Sequence, residues 1–183
     1  MRRSRWGCAW LICLDLQREY VVPGRPYYRP ANASVANACV RVLQHARAQG
    51  WRVVHSQLRN DGACFFGGGV FGAPIEGLRP LVTEPVFLRR SLSPFVNAAF
   101  SSELAGACGD DVYLIGFSMA DTCLATALAA VDQGLTLTLV DDAIGVGATA
   151  AFGARQTADA LLAPFTRSVL SRDLVAQTVE LAQ

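Results

Sequence analysis

Strand-like and helix-like segments alternate along the whole of this chain, and that alternation narrows the folds open to it. Apolar runs of strand length fall at 9–16, 51–56, 85–88, 112–115, 135–140 and 168–170, and helical periodicity at 34–49, 96–107, 121–133 and 148–163. Gly50 and Gly134 each close a helix just ahead of a strand, as a C-terminal glycine should. Alternating β and α units imply a doubly wound, mainly parallel sheet with right-handed crossovers, a three-layer α/β/α Rossmann-like architecture.

Composition agrees with that class. Hydrophobic residues make up 52% of the 183 and charged residues 17%, a balance suited to a parallel sheet covered on both faces and to apolar surface buried between copies. One domain covering 1–183 and a homo-oligomer are therefore expected. The net charge of +1 gives no electrostatic reason to expect nucleic acid as a partner. Arg2, Arg3 and Arg5 before the apolar run 6–14 imitate a secretion signal. The run ends at Asp15 with no small-residue cleavage site, and it is too short to span a membrane. We read it as a first strand and expect a cytoplasmic protein with no membrane partner. The six cysteines form no CxxC pair and read as reduced thiols. His45 and His55 are the only histidines, which argues against a multi-histidine metal site.

Chemistry-bearing residues gather where strands end. Asp15 closes the apolar strand Leu11-Ile12-Cys13-Leu14, with Gln17 two residues on. A carboxylate there faces the ligand side of the sheet, and burial would raise its pKa toward useful acid/base values, although the position also suits a turn-capping Asp. Arg89 and Arg90 follow the third strand, where either could pair with Asp15 or hold a substrate carboxylate. His55 closes the second strand as a pocket-lining or a structural histidine. The fourth strand, Gly116, and a helix from Asp121 form a strand–turn–helix carrying Phe117, Ser118, Thr122 and Cys123. A thiol in that first turn would be acidified by the helix field. Ser118 lacks the GxSxG setting of a nucleophile elbow, and Gly67-Gly68-Gly69 lacks the spacing of a nucleotide loop. The segment 64–71 reads as a wall of the pocket.

Taken together, Asp-x-Gln after the first strand, a basic residue six before Phe95, and the segment 116–127 resemble the isochorismatase-like hydrolases. The resemblance implies that Asp15 is the catalytic Asp and that Arg89 stands where the family carries Lys. The family pattern Gly-x-x-Thr-x-x-Cys-Val-x-x-Thr-Ala falls without gaps on 116–127, which puts the nucleophile position on Thr122 and places Cys123 one residue beyond it. Asp142-Ala143 matches the Asp-Ala after the fifth strand. Isochorismatases proper carry Gly-Cys at this point, a pair that Thr122-Cys123 resembles, and they rely on general acid catalysis by the Asp. The resemblance also implies no zinc here, since Asn60-Asp61 lacks the downstream His of the zinc-dependent amidases.

The expected function is hydrolysis of a small anionic or amide-bearing molecule without a cofactor. Asp15 is the general acid/base, and N–H groups near Thr122 and Cys123 stabilise developing charge. Gln17, His55, Arg90, Phe95, Phe117 and Ser118 line the substrate. Two alternatives stand beside it: a lapsed enzyme kept as a binding or assembly protein, and a cysteine amidohydrolase using Cys123.

Overall fold

The computed structural model describes residues 9–147 and 153–180. Six strands, β1 (Trp10–Leu14), β2 (Arg52–Leu58), β3 (Val86–Arg89), β4 (Val112–Gly116), β5 (Leu137–Ile144) and β6 (Arg167–Val169), form one sheet in the order β3-β2-β1-β4-β5-β6. Every neighbouring pair is parallel. The helices are α1 (Asn32–Ala48), α2 (Ala98–Leu104), α3 (Leu124–Asp132), α4 (Ala154–Leu162) and α5 (Ser171–Glu180). Among the described residues, no helix is long and apolar enough to cross a membrane.

The unbroken apolar character of β1 follows from its double cover. Leu11 and Cys13 pack with Cys39, Val42 and Leu43 of α1 on one face. Trp10, Ile12 and Leu14 pack with Phe100 and Leu104 of α2 and Ala127 of α3 on the other. The chain winds outward from β1 through β2 to β3, then returns to β4 beside β1 and winds the other way. The order therefore reverses between β1 and β4, and doubly wound sheets open their ligand crevice beyond the carboxyl ends of that strand pair.

Gly116 fixes how closely those two strand ends meet. Its φ is +128°, and a Cβ placed there would lie 1.9 Å from the carbonyl oxygen of Leu14, the same oxygen that accepts a hydrogen bond from the Phe117 N–H at 3.0 Å. A backbone oxygen cannot swing aside as a side chain can. Gly116→Ala should therefore cost about 4 kcal/mol or more, because strain and a backbone clash add. Urea unfolding would read this, and a loss under about 1 kcal/mol would contradict it.

Several boundaries differ from the sequence reading. The second strand runs to Leu58, so His55 lies mid-strand. The fifth runs to Ile144 through a register shift opposite Leu114/Gly116. Asp142-Ala143 is thus within β5 and not after it. Asp142 is the reason α5 exists at its position: its Oδ1 accepts from the Ser171 N–H at 2.7 Å and its Oδ2 from the Ser171 hydroxyl at 2.6 Å, satisfying the helix start. That helix was absent from the sequence reading. The fourth helix was expected over 148–163; it is observed from Ala154, and 148–152 lie outside the described residues.

Candidate functional site

Asp15 leaves β1 in a left-handed conformation, φ +47°, which turns its carboxylate inward over the strand ends. The residue is 0% exposed. Its Oδ1 accepts from the Leu58 N–H at 2.7 Å, and its Oδ2 accepts from Arg89 Nη2 at 2.6 Å. Arg89 comes from the end of β3, and its Nη1 donates to the Ser91 carbonyl at 2.9 Å. Burial pushes the Asp15 carboxyl above its ordinary value. The Arg89 charge and the hydrogen bonds from Arg89 and Leu58 offset that only in part. Burial thus favours the protonated form of this carboxyl, the direction that suits a general acid.

Gln17 is a strut here and not a free ligand. Its Nε2 donates to the carbonyls of Leu58 (3.0 Å) and Gly72 (2.8 Å), and its Oε1 accepts from the Leu58 N–H at 3.2 Å. Both amide hydrogens are spent on tying the ends of β1 and β2 to the glycine-rich loop. That loop is anchored in the core: Phe65 is buried against Tyr20 and Tyr27, with ring centroids 5.4 and 4.8 Å away.

The β4–α3 connection forms the opposite wall. The Phe117–Ser118 peptide is cis. Phe117 is fully buried and stacked on Tyr20 at 4.5 Å, so it belongs to the core and not to a substrate surface. The Ser118 hydroxyl donates to Asp121 Oδ1 at 2.6 Å. Residues Met119–Cys123 make a single wide π turn before α3 begins, a local feature that often accompanies functional sites. The Asp121 carboxylate accepts the Thr122 N–H, and the Ser118 carbonyl accepts the Cys123 N–H at 2.9 Å. These are the N–H groups expected to stabilise developing negative charge, and in this structure both are already partnered.

Thr122 and Cys123 separate as their one-residue offset demands. Cys123 is fully buried in the apolar cluster with Leu14, Met119 and Ala127. Burial pushes its thiol well above the usual value, and the nearby Asp121 and Asp15 carboxylates push the same way. The expected acidification by the helix is therefore reversed, because the thiol enters the core and desolvation outweighs the field. Thr122 is 3% exposed, and its carbonyl accepts the Thr126 hydroxyl at 2.6 Å.

Three further expectations are corrected. His55 Nε2 lies 2.9 Å from Glu84 Oε2, and Arg47 holds the same carboxylate with bonds of 2.7 and 2.8 Å. Burial alone would raise Glu84, but the bonds from Arg47, the Leu81 N–H and His55 hold it down at about 2. His55 is thus part of a structural triad, not a pocket residue. Phe95 sits in a 3₁₀ turn, Pro94–Val96, with its ring edge-on to Phe100 at 5.0 Å. Arg90 pairs with Asp61 at 2.7 Å on the surface, both side chains more than 70% exposed, a pairing of small worth. One residue escaped the sequence reading: Arg59 directly follows β2 and lines a cleft with Arg89 and Arg90. With the second strand expected to end at Ser56, nothing in the sequence placed Arg59 at a strand end.

Comparison with known proteins agrees with this fold. The Isochorismatase domain family matches residues 9–172. A maleamate amidohydrolase of Pseudomonas putida KT2440 is 26% identical over 151 residues, covering 74% of this chain and 71% of that protein. An isochorismatase from the same organism superposes with a TM-score of 0.77 at 25% identity, covering 94% of this chain and 93% of that one. An isochorismatase-like hydrolase from Alkaliphilus metalliredigens has a TM-score of 0.81 at 16% identity, covering 92% and 98%. A sheet whose order reverses beside a buried Asp, and a family match that spans nearly all of it, place this chain in the isochorismatase family of hydrolases.

Proposed function

We propose that this chain hydrolyses a small anionic or amide-bearing molecule by proton transfer through Asp15, without a covalent enzyme intermediate. The observation that carries this reading is the Asp15 carboxyl itself: buried, raised in pKa, and held by Arg89 and the Leu58 N–H. Protonated, it gives its proton to the breaking C–N or C–O bond. It then recovers one from the water that adds, so one water is consumed and the carboxyl is restored. Arg89 cannot shuttle that proton, since a guanidinium stays charged; it orients Asp15 and sets its pKa. The absence of a thiol from the Thr122 position argues against acyl-enzyme chemistry, because a Thr hydroxyl is a weak nucleophile that needs a positioned base, and no base among the described residues is hydrogen-bonded to it. The maleamate amidohydrolase relative makes small amides of dicarboxylic acids the first substrates to try.

Turnover of maleamate, a panel of other small amides, and a carboxylated vinyl ether such as isochorismate is the test. Activity on one of them should fall by about 10²-fold or more in Asp15→Asn. A second reading has its own support: Asp15, Arg89, Thr122 and Cys123 are 0, 5, 3 and 0% exposed, a closure that suits a lapsed enzyme kept for binding. No turnover in the parent protein with any of these compounds, alongside saturable binding of one, would favour that reading.

A further inference from the structure

Arg59, Leu88, Arg89 and Arg90 line a cleft of about 170 Å³ at the carboxyl ends of β2 and β3. In a chain with only 17% charged residues, three guanidinium groups around so small a space need an explanation. Two of their charges are matched and one is not. Arg90 is paired with the exposed Asp61. Arg89 is paired with Asp15, yet its Nε–H, buried in a residue 5% exposed, has no acceptor among the described residues. Arg59 makes no ion pair with a described residue, while its backbone N–H is fixed on the Arg89 carbonyl at 2.8 Å. Its side chain lies against the glycine-rich loop at Gly67, where a Cβ would come 1.9 Å from Arg59 Nε. The missing Cβ at Gly67 thus makes the room that Arg59 occupies.

We infer that this cleft is an oxyanion subsite that takes the carboxylate or phosphate of a small acid, with Arg59 as its main ligand. This rests on the hydrolase reading above and names the substrate class: an acid whose anionic end is gripped beside Arg89 while its reactive end is turned toward Asp15. Guanidinium groups suit the role because their planar forks meet carboxylate and phosphate oxygens in pairs. The exposed Leu88 side chain supplies an apolar flank for a short carbon chain. The volume fits an anionic group with a few atoms of tether, and the remainder of the substrate must extend out of it.

Calorimetric titration of the full chain with succinate, maleate and inorganic phosphate tests the subsite, with neutral succinamide as control. The anions should bind saturably and succinamide should not. Tighter binding of phosphate would assign a phosphorylated substrate, and tighter binding of the diacids a carboxylic one. Arg59→Gln should weaken the anion by about tenfold or more, the loss expected for one charge-assisted pair. Gly67→Ala should weaken it similarly, since it displaces only the end of a flexible side chain and leaves the core intact. Anions binding no better than succinamide, or both variants binding as the parent does, would overturn the inference. Its failure is separable from that of the hydrolase reading. Anion binding without turnover sinks only the enzyme, and turnover of neutral amides without anion binding sinks only the subsite.

Discussion

Replacing Arg89 with Met should destabilise the fold by about 3–5 kcal/mol at neutral pH, because it strands the fully buried Asp15 carboxylate without its cation. The pH dependence identifies the cause. Burial already holds the Asp15 carboxyl above its ordinary value, and Arg89 is the largest influence pulling it back. Without Arg89 the folded-state value climbs further, while the unfolded value stays at about 3.9. A carboxyl raised on folding binds more protons in the native state. Its penalty is therefore absent below the unfolded value and grows as pH rises through the folded one. Urea unfolding across pH 4 to 8 should show parent and variant nearly converging at the acid end and parting steadily toward neutrality. A deficit constant with pH would mean that the loss is one of packing and not of charge. The double variant Asp15→Asn/Arg89→Met should recover most of the deficit, since neither buried charge remains.

The distribution of what the sequence revealed follows physical lines. The central strands β1 and β4 were legible because both faces of the sheet are covered there, which leaves runs such as Trp10-Leu11-Ile12-Cys13-Leu14 with no polar positions. Asp15 stood out because it ends such a run. α5 was not legible, because the side chain that starts it, Asp142, lies 29 residues away within another strand; a cap supplied by tertiary contact leaves no local signature. His55 misled for the same reason. Its partner Glu84 comes from a segment 29 residues on, so nothing nearby marks it as already satisfied. The offset between Thr122 and Cys123 was legible by counting from Gly116. The fate of the surrounding N–H groups was not, since it depends on how Asp121 folds back over the π turn. Electrostatic arguments from helix position alone gave the wrong sign for Cys123, because they omit how deep the thiol sits.

Thr122→Cys should create a reactive thiol where this protein has none. The test background carries Cys8, Cys64 and Cys108 changed to Ser, leaving the buried Cys13, Cys39 and Cys123. In the parent, those three should resist iodoacetamide, as burial raises every one of them. With the substitution, alkylation should fall on the introduced thiol at least about tenfold faster than on Cys123, because reactivity follows thiolate fraction and access. Peptide mass mapping would decide, and preferential labelling of Cys123 would end the one-residue register argued from Gly116 and Thr126. Catalysis should respond in stages. Asp15 is the candidate base for the introduced thiol, and adding Arg89→Lys supplies a cation that can also give up its proton. The Thr122 N–H remains occupied by the Asp121 carboxylate, so Asp121→Ala is needed to free a donor for the oxygen of a tetrahedral intermediate, worth about 10²–10³ in rate where such donors have been removed. Amide hydrolysis by the triple variant should therefore exceed that of Thr122→Cys/Arg89→Lys by roughly that factor. Equal rates would show that the Thr122 N–H plays no part in stabilising charge.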